Sequence, residues 1–145
     1  MKIGIASDHR GFVLKEKLIK YLEKNCKVID YGTFNQEKTD YTKYASLLGN
    51  GVKNKEVSIG IAICGTGIGM SIYLNKMKNI MCAKVSTKKE AYYSKLHNNA
   101  NIIALSGNMS FIKAKRIINT FLTTTYRKID PYQKRINDIE RLEND

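Results

Sequence analysis

The sequence lacks several features that define large classes of proteins. It has no apolar run of membrane-spanning length, and its opening stretch MKIGIASDH turns polar too early for a signal peptide, so we expect a cytoplasmic protein away from membranes. It has no C-x-x-C pair. Its cysteines, Cys26, Cys64 and Cys82, are odd in number and lie in apolar surroundings, which argues against a disulfide framework and against a zinc site.

Acidic residues are few, and the excess of basic ones is spread along the chain. Lys and Arg number 25 against 13 Asp and Glu, which gives a formal net charge of +12. A nucleic-acid binder usually carries its cations in clusters, often with aromatic residues between them. Here no such cluster occurs, so we expect no nucleic-acid partner and a solvated, lysine-rich surface that includes Lys15, Lys17, Lys20, Lys53, Lys76, Lys88 and Lys113. A small anionic ligand remains compatible with this charge.

Short apolar runs alternate with segments of helical periodicity. The strands are predicted at 2–6, 27–30, 57–64, 80–85 and 101–107, and the helices at 12–24, 42–54, 69–76, 87–98 and 111–122. Five such units in succession predict a three-layer α/β/α, Rossmann-like fold with a five-stranded parallel sheet and helices on both faces. At 145 residues the chain should form a single domain, 1–145.

A tail helix is predicted beyond Pro131, where Ile136, Ile139 and Leu142 form one narrow apolar stripe. Such a stripe needs a surface to pack on. A neighbouring subunit could supply that surface.

A glycine-rich loop follows the most apolar of the predicted strands. Gly65, Gly67 and Gly69 can expose successive backbone N–H groups, and the helix that follows contributes the positive end of its dipole, so the loop could hold an anion. The dinucleotide fingerprint would need a glycine where Met70 stands, and the P-loop pattern is absent. The alternative is a tight turn with no ligand.

Cys64 lies directly before this loop. There the N–H groups and the helix N-terminus would favour its thiolate, which could act as a nucleophile or as a base. The alternative is a buried cysteine that continues the strand, and this is the role we assign to Cys26 and Cys82.

Both histidines of the chain fall at the ends of predicted elements. His9 follows Asp8 after the first strand, and His97 precedes Asn98 at the end of the fourth helix. We expect all of them at or near the carboxyl edge of the sheet, where open parallel sheets bind ligands. Taken singly, Asp8 could be a helix N-cap and His97 a C-terminal capping residue. Their expected convergence with Cys64 favours a functional site.

These segments resemble the type B ribose-5-phosphate isomerases and their relatives, the galactose-6-phosphate isomerase subunits. The C-G-T-G-x-G element with a following H-N is specific to this family. The matching segments cover nearly the whole chain: SDHRG (7–11), VIDYGT (28–33), TDYTKYA (39–45), ICGTGIGMSI (63–72), NK (75–76), HNNANI (97–102) and QKRI (133–136).

The resemblance implies a cofactor-free and metal-free aldose–ketose isomerase that interconverts ribose 5-phosphate and ribulose 5-phosphate through an enediolate. Cys64 would be the base, and His97 the proton donor for ring opening. Thr66 and the loop N–H groups would hold the oxyanion. The implied substrate-binding residues are Asp8, His9, Tyr41, Gly65, Thr66, Gly67, Ile68, Gly69, Asn98 and Arg135. Family members are homodimers or homotetramers with sites at the subunit interface.

The chain departs from the family pattern where phosphate is bound. Three positions that often carry arginine are Met81, Asn108 and Pro131, and Tyr132 stands where the family usually has histidine. Arg135 is the arginine retained, and Arg10, Arg127 and Lys134 could compensate. Because lysine does not reproduce the bidentate phosphate contacts of arginine, two alternatives stay open. These are an isomerase of another sugar or sugar phosphate, such as allose 6-phosphate, and a catalytically silent sugar-phosphate-binding module.

Overall fold

A parallel sheet of five strands forms the centre of the protein. The computed structural model describes all 145 residues. The strands are β1 (Lys2–Ser7), β2 (Lys27–Asp30), β3 (Ile59–Cys64), β4 (Cys82–Lys84) and β5 (Ile102–Ser106), and their order across the sheet is β2-β1-β3-β5-β4. All four neighbouring pairs are parallel. The chain therefore inserts β5 between β3 and the edge strand β4.

Helices cover both faces of the sheet. They are α1 (Phe12–Leu22), α2 (Tyr41–Lys53), α3 (Ile68–Asn75), α4 (Lys88–Leu96), α5 (Phe111–Thr123) and α6 (Tyr132–Leu142). One apolar cluster joins α1, α4 and α5 to one face, and a second joins α2 and α3 to the other. The predicted three-layer fold, its parallel sheet and the helix of the tail are confirmed, with bounds close to those expected. No helix is both long and apolar enough to cross a bilayer.

The two faces of the sheet carry side chains of different size. Odd-numbered positions such as Ile3, Ile61 and Ile103 face α1, α4 and α5. On the other face β1 and β3 carry glycine at positions 4 and 60, and a Cβ at Gly4 would lie 2.8 Å from Leu48 Cδ1 of α2. Because these residues are small, α2 packs close to the strands, and its N-terminus approaches the end of β1.

The edge strand β4 is shorter than predicted, and a side chain covers its outer side. The amide of Asn75 donates to the Cys82 carbonyl and accepts from the Cys82 N–H, both at 2.8 Å. This pair of bonds replaces a further strand, and it protects backbone groups that would otherwise be open to edge-to-edge association.

One of the lysines expected at the surface is in fact buried. Lys15 is fully buried in α1, and its Nζ lies 2.8 Å from both carboxylate oxygens of Asp30 and 2.9 Å from Glu16. The expectation of a solvated Lys15 is wrong. The ion pair with Asp30 at the end of β2 offsets the free-energy cost of removing the Lys15 ammonium group from water. The other lysines named above are exposed.

The tail returns across the end of α4. The Arg127 N–H donates to the Leu96 carbonyl at 3.0 Å, and α6 buries Ile136. The rest of the predicted apolar stripe is only partly covered, because Ile139 is 40% exposed and Leu142 is 70% exposed.

Candidate active site

A polar pocket lies at the carboxyl edge of the sheet, where β1 and β3 end and α2 and α3 begin. Its volume is about 310 Å³. It is lined by Asp8, His9, Arg10, Lys38, Thr39, Asp40, Tyr41, Cys64, Gly65, Thr66 and Gly69. The two adjacent strand ends and the two helix N-termini thus meet around one small space, as expected for an open parallel sheet.

The thiol of Cys64 is held by the glycine loop. The Gly67 N–H donates a hydrogen bond to Cys64 Sγ at 3.2 Å, and Cys64 is only 4% exposed. Gly67 is the N-cap of α3 and has a φ of 81°, a left-handed conformation that favours glycine. The backbone N–H therefore fixes the place of the sulfur next to the N-terminus of α3.

Further N–H groups of the loop remain for a ligand. The Ile68 N–H donates to Thr66 Oγ1 at 3.1 Å, so it is already engaged. The N–H groups of Gly65, Thr66 and Gly69 make no hydrogen bond within the chain. Three donors of this kind beside a thiol can hold an oxygen that acquires negative charge during a reaction.

Asp8 and His9 are fixed by backbone contacts on the β1 side of the pocket. Asp8 Oδ1 accepts the N–H groups of Arg10 at 2.9 Å and Gly11 at 3.1 Å, which leaves its second oxygen free of these bonds. His9 Nδ1 lies 3.1 Å from the Thr39 carbonyl and 3.2 Å from its nitrogen. Whichever tautomer is present, Nε2 of His9 remains available to a ligand.

The segment that contains Thr39 is itself held by α2. Hydrogen bonds with the side chains of Thr33 and Thr39 hold the pKa of Tyr44 below its ordinary value. Tyr44 is buried, and it joins the loop between β2 and α2 to the helix that follows. Thr39, whose backbone contacts the His9 imidazole, thus also interacts with a residue in the first turns of α2.

Aromatic and basic groups complete the pocket. The Tyr41 ring packs on Gly69, where a Cβ would lie 2.5 Å from the ring. The Arg10 side chain lies along Gly65, where a Cβ would be 3.2 Å from Arg10 Nη1. With the exposed Lys38, Arg10 gives the pocket two cations that could meet an anionic group.

Cys82 lies in a different environment from Cys64. Burial raises the pKa of the Cys82 thiol to about 12, although a hydrogen bond with Ser71 acts in the opposite direction. Such a thiol stays protonated in the neutral range and is a poor base or nucleophile. Its surroundings agree with the structural role assigned to it.

The structure does not bring the second histidine to this pocket. His97, Asn98 and Arg135 are all absent from its lining. His97 caps the C-terminus of α4, and the chain then reaches Asn101, which bonds to Met81 before β4 and to Gly60 at the start of β3. His97 therefore lies towards the amino edge of the sheet, and the expectation that both histidines share the carboxyl edge is wrong.

The direction of the helix explains this error. A crossover helix starts where one strand ends and runs back to where the next parallel strand begins, so its C-terminus lies at the amino edge. Gly60 pairs with Ile102, and Cys64 with Ser106. At about 3.3 Å per residue, these two ends of β3 lie roughly 13 Å apart.

Some residues that shape the pocket were not singled out in the sequence. Lys38 and Thr39 lie in a polar loop without periodicity, and Ser106, whose hydroxyl donates to the Gly65 carbonyl at 2.7 Å, is an ordinary strand residue. Thr39 lies in the segment TDYTKYA, whose match to the family pattern could have identified it. No local pattern marks Lys38 or Ser106.

Fold and pocket together define a class: α/β proteins with a small polar pocket at the carboxyl edge of a parallel sheet. Residues 3–139 match the Ribose/Galactose Isomerase family, and the chain belongs to that family. It is 38% identical to ribose-5-phosphate isomerase B of Escherichia coli, over 98% of this chain and 96% of that protein. It is also 36% identical to the galactose-6-phosphate isomerase subunit LacB of Clostridium acetobutylicum, over 100% of this chain and 86% of the relative.

Solved structures show the same fold. A ribose 5-phosphate isomerase from Thermotoga maritima matches with a TM-score of 0.94 and 39% identity, over 97% of each chain. Ribose-5-phosphate isomerase B from Mycoplasma genitalium, whose crystal structure holds ribulose-5-phosphate, matches with a TM-score of 0.92 and 34% identity. That match covers 99% of this chain and 97% of the other.

The contact between Gly69 and Tyr41 leads to a prediction on stability. In a helix, Gly→Ala is normally stabilising. Here the new Cβ would overlap the Tyr41 ring, so we expect Gly69→Ala to lower the free energy of unfolding by about 1–3 kcal/mol. In a Tyr41→Ala background the same change should cost little or become favourable. Denaturant unfolding of the four proteins in a double-mutant cycle measures this coupling. An equal cost in both backgrounds would show that the ring does not pack on Gly69.

Proposed function

We propose that this protein is an aldose–ketose isomerase that interconverts ribose 5-phosphate and ribulose 5-phosphate through an enediolate, with Cys64 as the base. The observation that carries the proposal is the Cys64 thiol, which accepts the Gly67 N–H at 3.2 Å beside three free N–H donors in a polar pocket. The relative from Mycoplasma genitalium, with ribulose-5-phosphate bound in its crystal structure, supports the choice of substrate.

Proton transfer in this pocket needs no metal or cofactor. The Cys64 thiolate takes the proton from C2 of the open-chain aldose, the C2–H electron pair forms the C1–C2 double bond, and the negative charge moves to O1. The free N–H groups of Gly65, Thr66 and Gly69 are suited to hold O1. The proton of the C2 hydroxyl then moves to O1, which shifts the negative charge to O2. The thiol returns its proton to C1 as the electron pair on O2 forms the ketone at C2, and the thiolate is regenerated.

Substrate binding divides among the other residues of the pocket. Asp8 and His9 offer a carboxylate oxygen and a ring nitrogen to sugar hydroxyls, and the Tyr41 ring provides an apolar wall. Arg10 and Lys38 are the cations on the pocket rim that could receive the phosphate. Gly67 and Ile68 shape the loop, because their N–H groups are already engaged by Cys64 and Thr66.

Ring opening requires a second chain. We infer that His97 acts as the proton donor in a homodimer, with Asn98 and Arg135 beside it, because one chain holds these residues away from its own Cys64 pocket. In a two-fold dimer, the group from each chain can complete the pocket of the other, which gives two equivalent sites.

The surface of α3 supports this assembly. Ile68 and Ile72 are 50% and 59% exposed, and Ile72 lines a groove of about 450 Å³ with Tyr41, Tyr73, Lys76 and Met77. Apolar side chains exposed next to a ligand pocket are typical of subunit contacts. We therefore propose that the active sites form when two chains associate, and that a tetramer would pair two such dimers. Each chain would be a single domain, and the enzyme would be cytoplasmic.

A second candidate is an isomerase of another sugar phosphate. It is favoured by the 36% identity to a galactose-6-phosphate isomerase subunit and by Met81, Asn108 and Pro131 at positions where arginine is usual. Asn108 follows β5 and is exposed, whereas Met81 precedes β4. A changed phosphate contact would alter the preferred length of the sugar, and not the chemistry at C1 and C2.

A substrate panel separates the two candidates. We expect turnover to be fastest with ribose 5-phosphate, slower with allose 6-phosphate and lowest with unphosphorylated ribose, because Arg10 and Lys38 would bind the phosphate. Steady-state kcat/KM for each sugar measures this order. A preference for a hexose phosphate would support the second candidate, and binding without hydrogen exchange at C2 would indicate a silent binding module.

Replacement of the base tests the mechanism directly. Cys64→Ala should reduce kcat by a factor on the order of 10³ or more, because general-base catalysis contributes roughly 10²–10⁴-fold. Cys26→Ala is the matched control, since Cys26 lies before β2, outside the pocket. Kinetics, together with thermal unfolding to show that both variants fold, provide the measurement. A Cys64→Ala enzyme with most of its activity would exclude Cys64 as the base.

Mixing two inactive variants tests the shared site. Cys64→Ala and His97→Asn chains should each be nearly inactive, but subunit exchange in an equal mixture should restore about a quarter of the parent activity. Half of the dimers would then be hybrids with one intact site out of two. If both residues acted within one chain, each hybrid would have two defective sites, and mixing would restore nothing.

A further inference from the structure

We propose that Tyr132, together with Tyr93, positions the imidazole of His97 for ring opening. This inference rests on the proposed function, in which His97 gives a proton to the ring oxygen of the sugar. Tyr132 is the first residue of α6, and Tyr93 lies one turn before His97 in α4. Neither tyrosine was among the site residues expected from the sequence.

Both tyrosine rings lie close to the His97 imidazole, and one of them is stacked on it. The centroids of His97 and Tyr132 are 4.3 Å apart with an angle of 18° between the ring planes, and those of His97 and Tyr93 are 4.8 Å apart at 33°. The Tyr132 ring stacks on the imidazole, and the tilted Tyr93 ring makes a second close contact with it.

This arrangement restrains the ring without using its nitrogens. Stacking contacts the faces of the imidazole, whereas Nδ1 and Nε2 lie at its edge and stay available to a substrate. The face of a tyrosine also attracts a cation, so the stack remains favourable when His97 carries the proton that it is to donate. A partly exposed side chain next to Asn98 and Asn99 would otherwise sample several rotamers.

The position of Tyr132 is fixed by contacts other than the stack. The Tyr126 hydroxyl donates to Gln133 Oε1 at 2.8 Å, and the Arg127 N–H donates to the Leu96 carbonyl at 3.0 Å. Ile136, one turn into α6, is buried. These contacts hold the start of α6 against the end of α4, so the Tyr132 ring has a defined place from which to support His97.

Ring opening can be separated from the later proton transfer. In ring opening, His97 protonates the ring oxygen O4, the C1–O4 bond breaks with its electron pair on O4, and the C1 hydroxyl loses its proton to solvent as the aldehyde forms. Ribulose 5-phosphate has no ring to open, because its C5 oxygen carries the phosphate and closure through O4 would give a four-membered ring. Exchange of its C1 hydrogen with solvent needs the base and the oxyanion donors alone.

The test compares these two reactions in Tyr132 variants. Tyr132→Leu should lower kcat/KM for ribose 5-phosphate by roughly tenfold to a hundredfold, the range expected for a displaced catalytic group. The same variant should exchange the C1 hydrogen of ribulose 5-phosphate with D₂O at a rate within about twofold of the parent, because this step does not use the acid. Tyr132→Phe keeps the stacking ring and should restore turnover.

Three control variants distinguish a failure of the positioning role of Tyr132 from a failure of the proposed role of His97. Cys26→Ala alters neither the pocket nor the stack, and it should behave like the parent. His97→Asn should show the Tyr132→Leu pattern more strongly, and Cys64→Ala should lose both reactions. If His97→Asn lost turnover while Tyr132→Leu kept it, or if Tyr132→Leu lost exchange and turnover alike, the positioning role would be overturned. A His97→Asn enzyme with full turnover would instead overturn the proposed role of His97 itself.

Discussion

All strands of the sheet run in one direction, and the arrangement of the chemically important residues follows from this constraint. Parallel strands bring their carboxyl ends to one edge, where each crossover helix also presents its N-terminus. The Cys64 pocket is built from these parts: the ends of β1 and β3, and the first turns of α2 and α3. Such an edge favours the binding of an anion, because backbone N–H groups and the positive ends of helix dipoles converge there.

Close packing on one face of the sheet brings α2 and α3 to this pocket. Gly4 and Gly60 allow α2 to approach the strands, and Gly69 allows the Tyr41 ring to lie against the start of α3. The pocket that results, about 310 Å³, suits a small molecule and no larger ligand. Glycine in this protein therefore acts in two ways: as a source of close contacts in the core, and at Gly67 as a left-handed residue that turns an N–H towards sulfur.

Local sequence patterns predicted those features that depend on the properties of neighbouring residues in the chain. The apolar run before Cys64 predicted a central strand, and the glycine spacing predicted a loop that exposes N–H groups. These patterns could not predict features that depend on contacts between residues distant in the sequence. Lys15 has helical spacing suited to water, yet Asp30 neutralises it in the interior. The position of β5 between β3 and β4 is likewise set by packing and not by any local pattern.

His97 shows a different limit, since it was identified as a candidate but assigned to the wrong edge. Its position follows from the direction of α4, and the same direction that separates it from Cys64 places it beside the start of α6, where Tyr132 stacks on it. The tail helix is thus in contact with a proposed catalytic residue, and it carries Arg135 one turn further on. On the proposed dimer, α4 and α6 of each chain would form one half of the site and the glycine loop of the other chain the second half. Catalysis would then depend on the association of two chains, because neither half contains both a base and an acid.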